Sequence, residues 1–312
     1  MFENKDYIIT VAREGSISKA AKQLYISQPS LSASVKRIEE KISVPLFDRT
    51  TTPISLTEAG REYLKYALQI KESERAFSQY VSDHYHILAG TVKIGGSSFF
   101  SSFMIPRMVA EFHSKYSHID FEIFENSTEI LLEKLHTGVL DIVIDNAIIK
   151  DDLIKATVLN TERLLLAVPE SFSINKKLRE FSMTAQDVKN GIDYKCQQGV
   201  SLNDFRDEPF ILLNSGNDTG SRAEMLFKKH KITPKVRFRL DQQLTAFNIS
   251  STGIGISFVS DTLIKHLDSS PRLCYYCLSD AETERNVFFY VKKNHYLSQV
   301  CQRFIEETLK TE

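Results

Sequence analysis

Residues 27–37 read Ser-Gln-Pro-Ser-Leu-Ser-Ala-Ser-Val-Lys-Arg. The polar members of this run recognise a partner by hydrogen bonding and charge. Ser27, Gln28, Ser30 and Ser32 carry hydroxyl and amide groups that both donate and accept, and a glutamine amide can pair with an adenine edge through two bonds. Lys36 and Arg37 lie further along and suit phosphate oxygens, which position a protein without reading sequence. Pro29 and Ala33 belong to the same run. Ser16 and Ser18 precede it, and Arg49, Thr51 and Thr52 follow it. This is chemistry for contacting double-stranded DNA, provided the fold brings the groups together.

The surrounding residues predict elements that do so. Tyr7, Ile8, Val11 and Ala12 recur at helical spacing over 3–14, and Gly15 ends that helix. Ser16 has the position of an N-cap for a short helix over 17–24, with Ile17, Ala20, Ala21 and Leu24 inward. Tyr25 and Ile26 make the turn. Ser27 caps the next helix, with Pro29 in its first turn, where a missing N–H costs little. Leu31, Val35 and Ile38 form its buried stripe, and Gln28, Ser30, Ser32, Ala33, Lys36 and Arg37 its opposite face. Two short helices across a tight turn predict a helix-turn-helix, whose second helix enters the major groove N-terminus first. A unit used only for packing accounts for the apolar stripe but not for the polar outer face. Leu46 and Phe47 then plug the core, 49–53 make a hairpin tip, 54–56 a short strand, and Thr57 caps a new helix. That is a wing.

The chain has 312 residues and a formal net charge of −1, so two or three domains are expected, and nucleic-acid binding has to come from a local basic face. Met1 is followed by a polar run and no apolar stretch reaches the length of a membrane span, which predicts a cytoplasmic location and no membrane partner. The four cysteines, Cys196, Cys274, Cys277 and Cys301, read as free thiols in a reducing compartment. Cys274 and Cys277 have C-x-x-C spacing, but on an expected strand, where packed thiols are favoured over redox chemistry. The eight histidines are scattered, so no metal, cofactor or catalytic set is expected and the chain is not expected to be an enzyme.

Gly15-Ser16, Ala20-Ala21-Lys22-Gln23-Leu24, Ser27-Gln28-Pro29-Ser30-Leu31-Ser32, Leu46-Phe47-Asp48-Arg49 and Leu56-Thr57-Glu58-Ala59-Gly60 together resemble the LysR-type transcriptional regulators. Further on, 90–95, 138–144 and 252–256 look like the family's first and third effector-domain strands and its late glycine-rich turn. The family's usual glycine after the recognition helix is Ser43 here, the wing tip is Thr50-Thr51-Thr52 with Arg49 as its main charge, and 181–199 is longer than usual and contains Cys196. Some members sense oxidants through a cysteine pair in that stretch, where this chain has one cysteine. The resemblance implies a DNA-binding regulator controlled by a small-molecule effector, working as a homodimer or homotetramer.

The expected architecture is therefore α/β. A winged helix-turn-helix over 1–56 is followed by a linker helix over 57–89 and a two-lobed effector domain over 90–312, like the periplasmic binding proteins. Lobe I is expected at about 90–160 and 270–312, and lobe II at about 161–269. Tyr63, Ala67, Ile70, Phe77 and Val81 approach heptad spacing and predict a seam for pairing two linker helices. Alternating strands and helices from residue 91 predict a mostly parallel sheet. Such folds bind ligands beyond the carboxyl ends of strands. The residues expected there are Ser97, Ser98 and Phe99, then Ser127 and Thr128, then Asn146, and in lobe II Asn217, Asp218, Thr219 and Ser221. Hydroxyls at helix starts suit an effector that is an anion or carboxylate. Two other readings are open: a solute-binding module with a vestigial DNA-binding part, told apart by tight ligand binding without DNA retardation, and an enzyme, which would have to turn a ligand over.

Overall fold

A computed structural model describes residues 1–84, 90–191, 199–267, 272–293 and 295–311. The chain divides into two compact units. One is Met1–Ala89 with Glu133–Leu140 and His295–Gln299, and the other is Gly90–Leu132, Asp141–Asn294 and Val300–Glu312.

The first unit is built on α1 (Lys5–Glu14), α2 (Ile17–Gln23) and α3 (Gln28–Ile42). Their boundaries follow from local chemistry. Gly15 takes a left-handed conformation at φ 58° and its N–H closes α1 on Val11 O. Ser16 and Ser27 cap α2 and α3 through their hydroxyls, which accept from the N–H groups of Lys19 and Ser30. Ser43 adopts φ 59° at the end of α3, so a serine holds the left-handed cap that suits glycine best. Ile8, Val11, Ala20, Ala21, Leu31, Val35, Ile38, Leu46 and Phe47 form one core. Strands β1 (Phe47–Asp48) and β2 (Ser55–Leu56) pair antiparallel, Phe47 opposite Leu56, and make the wing.

Helix α4 (Glu58–His84) starts hard against that core. A Cβ at Gly60 would run into the carbonyl oxygen of Leu46, so only glycine permits this approach. The predicted seam divides in two. Tyr63 and Ala67 are buried in the unit's own core, while Phe77 and Val81 are exposed, as are Tyr66 and Tyr80. The first half of the apolar spacing is thus used within the chain.

The second unit carries a nine-stranded mixed sheet ordered β4-β3-β5-β11-β6-β9-β7-β8, with β10 paired to β6 off that path. Lobe I uses β3 (Gly90–Gly96), β4 (Ile119–Glu125) and β5 (Ile142–Asp145), all parallel, with α5 (Ile105–Lys115) and the first residues of α6 (Thr128–His136), the rest of which is counted with the first unit. A π-helical turn, Phe100–Met104, leads into α5. Strand β6 (Ile154–Pro169) crosses to lobe II, which holds α7 (Ile174–Lys177), α8 (Ala185–Asn190), β7 (Pro209–Leu213), α9 (Asp218–Lys229) and β8 (Lys235–Leu240). Lobe II continues with α10 (Gln243–Ser251), β9 (Ile256–Ser260), α11 (Asp261–His266) and β10 (Leu273–Cys277). The long β11 (Glu284–Lys292) returns to lobe I, and α12 (Gln299–Thr311) follows.

The sheet is mixed and not mostly parallel as expected: β3, β4 and β5, and β7, β8 and β9, pair in parallel, whereas β6, β10 and β11 pair antiparallel to their neighbours. The return to lobe I falls at β11 and not at residue 270. Strand β10 pairs with the lobe II half of β6, and Tyr276 and Leu278 pack in the lobe II core. The cysteine reading also needs correction. Cys274 and Cys301 carry no disulfide, but Cys277 is disulfide-bonded and is not a free thiol. The C-x-x-C pair is not joined to itself, since residues three apart on a strand face opposite sides. Cys196 lies outside the described residues.

Candidate nucleic-acid interface and ligand cleft

The start of α3 presents an unbroken exposed run from Ser27 to Ser30, with Ala33, Lys36 and Arg37 exposed further along and Ser32 half-buried. Capping uses one lone pair of the Ser27 hydroxyl and leaves its hydrogen free to donate. Ser16 is likewise a cap and half-buried, and Ser18 is exposed. Lys36 lies 3.6 Å from Glu40, one turn on. In the wing, Arg49, Thr51 and Thr52 are all exposed. The Thr51 hydroxyl lies 3.0 Å from that of Ser55.

Arg49 is less free than its sequence suggests. Its Nη2 donates to Glu39 Oε2 at 2.8 Å, while the other Glu39 oxygen accepts from the N–H groups of Leu46 and Phe47 at 2.9 and 3.3 Å. One α3 carboxylate therefore fixes both the root of the wing and its main cation. Glu39 was not singled out by sequence, because its partners lie seven to ten residues away across the turn into the wing.

In the second unit, strand ends converge on a small chamber of about 30 Å³. It is lined by Ser97 and Phe99 after β3, Thr128 at the start of α6, and Asn146 after β5. Asn217, Asp218 and Thr219 line it from the start of α9. Ser98, Ser127 and Ser221 are not in the lining. The Ser221 hydroxyl instead donates to Ser215 O at 2.6 Å, and the Ser127 N–H to Asn126 Oδ1. Phe100, Asp145, Gln242, Gln243 and Arg285 complete the wall.

Arg285 dominates the electrostatics. Its side chain is 2 % exposed. Nε donates to Glu162 Oε1 at 2.7 Å, and Nη1 donates to Asp218 Oδ2 at 2.7 Å and to Thr219 Oγ1 at 2.9 Å. Asn146 Nδ2 donates to the same Glu162 oxygen at 3.0 Å. Asp218 also accepts from Arg222 Nε at 2.8 Å. The chamber's arginine is thus neutralised by two of the chain's own carboxylates. Asp145 is buried too. Burial pushes its carboxyl above the usual range, against the lowering effect of hydrogen bonds from the Ala147 N–H, the Thr128 hydroxyl and the Asn146 N–H. Gln243 Nε2 and Glu162 Oε2 are buried without a hydrogen-bond partner among the described residues.

Asn146 and Arg285 also line a wider basin of about 590 Å³, together with Ile148, Arg163, Arg222 and Phe288. A sequence signal for Arg285 does exist: it alternates with buried Val287 and Phe289 along β11, so a charge sits on the inward face of a strand.

Comparison with known proteins agrees with both halves of the chain. Residues 3–61 match the family of bacterial regulatory helix-turn-helix proteins of the lysR type, and 87–311 match the LysR substrate binding domain. The uncharacterized HTH-type transcriptional regulator YybE of Bacillus subtilis is 28 % identical over 97 % of this chain and 96 % of its own length. Among solved structures, a full-length OxyR from Pseudomonas aeruginosa aligns over 99 % of this chain and 94 % of that one, at TM-score 0.72 and 20 % identity. Full-length CbnR, solved in complex with its target DNA, aligns over all of both chains at TM-score 0.70 and 19 % identity. The residues matched by the two family models leave little of the chain outside them, and the chain belongs to the LysR family of bacterial helix-turn-helix transcription regulators.

Proposed function

We propose that this regulator reads its operator with the start of α3 and positions itself with the wing. The observation that carries the reading is the exposed, cap-ordered run from Ser27 to Ser30, continued by Ala33, Lys36 and Arg37 on the same helix. Gln28, Ser30 and Ser32 face base edges. Lys36, Arg37, Arg49, Thr51 and Thr52, with Ser16 and Ser18, hold the backbone. The protein acts in the cytoplasm as a homodimer or homotetramer, which places two recognition helices on two half-sites. The exposed Phe77, Tyr80 and Val81 of α4 support such pairing.

A small-molecule effector binds between the lobes, at the residues shared by the chamber and the basin, and shifts how the paired recognition helices sit on DNA. The chamber alone holds about one or two waters, whereas the basin has the size of an ordinary ligand site. An anionic effector has to compete with Asp218 for Arg285. A neutral polar or ammonium-bearing effector does not, and Asp145 then offers it an acceptor.

Selection of genomic fragments bound by the intact chain tests the reading. Ser30→Ala should weaken binding to selected fragments and spare random duplex. Arg49→Ala should weaken both and lower the slope of log K against log salt by about one. An unchanged slope would remove the wing from the interface. Tight ligand binding with no DNA retardation would favour the solute-binding alternative.

A further inference from the structure

Tyr25 stands in the turn between α2 and α3, and nothing inside the fold accounts for it. Its backbone takes φ 54°, the left-handed region that an aromatic side chain occupies only under strain. Its N–H donates to Lys22 O at 3.2 Å and the Ile26 N–H to Ala21 O at 3.1 Å, so the residue serves as the left-handed cap of α2. Glycine or asparagine does this without strain, as Gly15 does for α1. Burial does not compensate, because Tyr25 is 96 % exposed. Its phenol makes no hydrogen bond and its ring no aromatic contact among the described residues. Among the described residues, the other non-glycine residues at positive φ are Ser43 and Lys231, neither of them aromatic. A strained and solvent-facing aromatic residue has its explanation outside the folded chain.

Its place in the chain indicates where. Tyr25 lies two residues before Ser27, beside the exposed run that opens α3, and the exposed Lys22 sits at the other end of the same turn. An α-helix with its side chains is about 10–12 Å across and the major groove about 12 Å wide, so the recognition helix fills the groove. A side chain projecting from the turn beside it meets the sugar–phosphate wall and not the base floor. A phenol there donates a hydrogen bond to a phosphate oxygen without bringing charge.

We propose that Tyr25 is a DNA-backbone contact that clamps the entry of α3, with its strained cap conformation maintained for that contact. The proposal rests on the assignment of α3 as the recognition helix. Two variants of the intact chain test it, on a genomic duplex recovered by selection and on a random duplex of the same length. Tyr25→Phe removes only the hydroxyl. It should weaken both duplexes by the same factor, about 3- to 10-fold, with the salt slope unchanged. Tyr25→Asn should weaken both further while raising the Tm of the N-terminal unit by about 3 °C, through relief of the strained cap. Binding and stability moving in opposite directions is the signature that a structural role cannot produce. Unchanged affinity in both variants overturns the proposal, as does a loss confined to the selected duplex, or an asparagine variant that is less stable. If the wild-type chain binds neither duplex, the assignment of α3 itself fails.

Discussion

Replacing Arg285 by methionine should be the most damaging single change in the effector domain. The guanidinium holds Glu162, whose side chain is fully buried, and Asp218 at the head of α9. Asp218 retains Arg222 when Arg285 goes, but Glu162 is left with the amide of Asn146, and its second oxygen already has no partner among the described residues. Breaking a buried pair from one side costs about 3–5 kcal/mol, most of it the stranded charge. For a domain of this size that corresponds to a fall in Tm of about 10 °C. Removing the charge on both sides should be milder. The double variant Glu162→Gln with Arg285→Met should recover at least about 1–2 kcal/mol of the single-variant loss, because residues in one ion-pair network are not additive. Calorimetry of the full-length protein reads both values. A single variant that melts within about 2 °C of wild type, or a double variant no more stable than Arg285→Met, would refute the argument that the pair is a buried and mutually dependent charge system.

Three further outcomes follow from the same geometry. Glu39→Ala should free the wing root and Arg49 together, costing about 1–3 kcal/mol and weakening DNA binding although no residue of the exposed α3 run changes, as circular-dichroism melts and gel retardation would measure. Gly60→Ala should destabilise the N-terminal unit by about 2–3 kcal/mol in a urea titration, since the first turn of α4 cannot withdraw from Leu46 without opening the core. Asp280→Asn should destabilise lobe II at neutral pH. Burial would raise the Asp280 carboxyl, but hydrogen bonds from His230 and Lys229 and their charges hold it below the usual range. A lowered folded-state value stabilises above the unfolded value and is lost as pH falls through the folded one, so the gap between wild type and variant should close in acid. A gap that widened in acid would mean that the Asp280 pair is not its source.

The N-terminal elements are legible in sequence because each boundary is written locally. Gly15, Ser16, Ser27 and Pro29 act on N–H groups within four residues of themselves, so their types alone place α1, α2 and α3. The first half of α4 was harder, since Tyr63 and Ala67 have the spacing of a pairing seam and only the fold shows that the N-terminal core takes them. In the cleft, helix starts and strand ends gave Ser97, Phe99, Thr128, Asn146 and the 217–219 turn, because the rule that finds them is one of chain topology. Arg285, Asp145 and Gln243 escaped it. Arg285 meets Glu162 across 123 positions of sequence, and nothing local to either residue announces the other. Ser98, Ser127 and Ser221 show the converse, hydroxyls of the right type at the right element but outside the chamber wall.

Strand β6 is one unbroken element that pairs with β11 along its first ten residues, 154–163, and with β9 and β10 thereafter. The two lobes therefore share a continuous ribbon of hydrogen bonds instead of being tethered by loops. Such a ribbon resists stretching and sliding but yields to torsion, so a ligand can turn one lobe on the other only by winding or unwinding the β6–β11 pair. Its soft point is already marked, by the register shift between Val287 and Phe288 on β11. An effector that turned one lobe on the other would work against the torsional stiffness of these two strands.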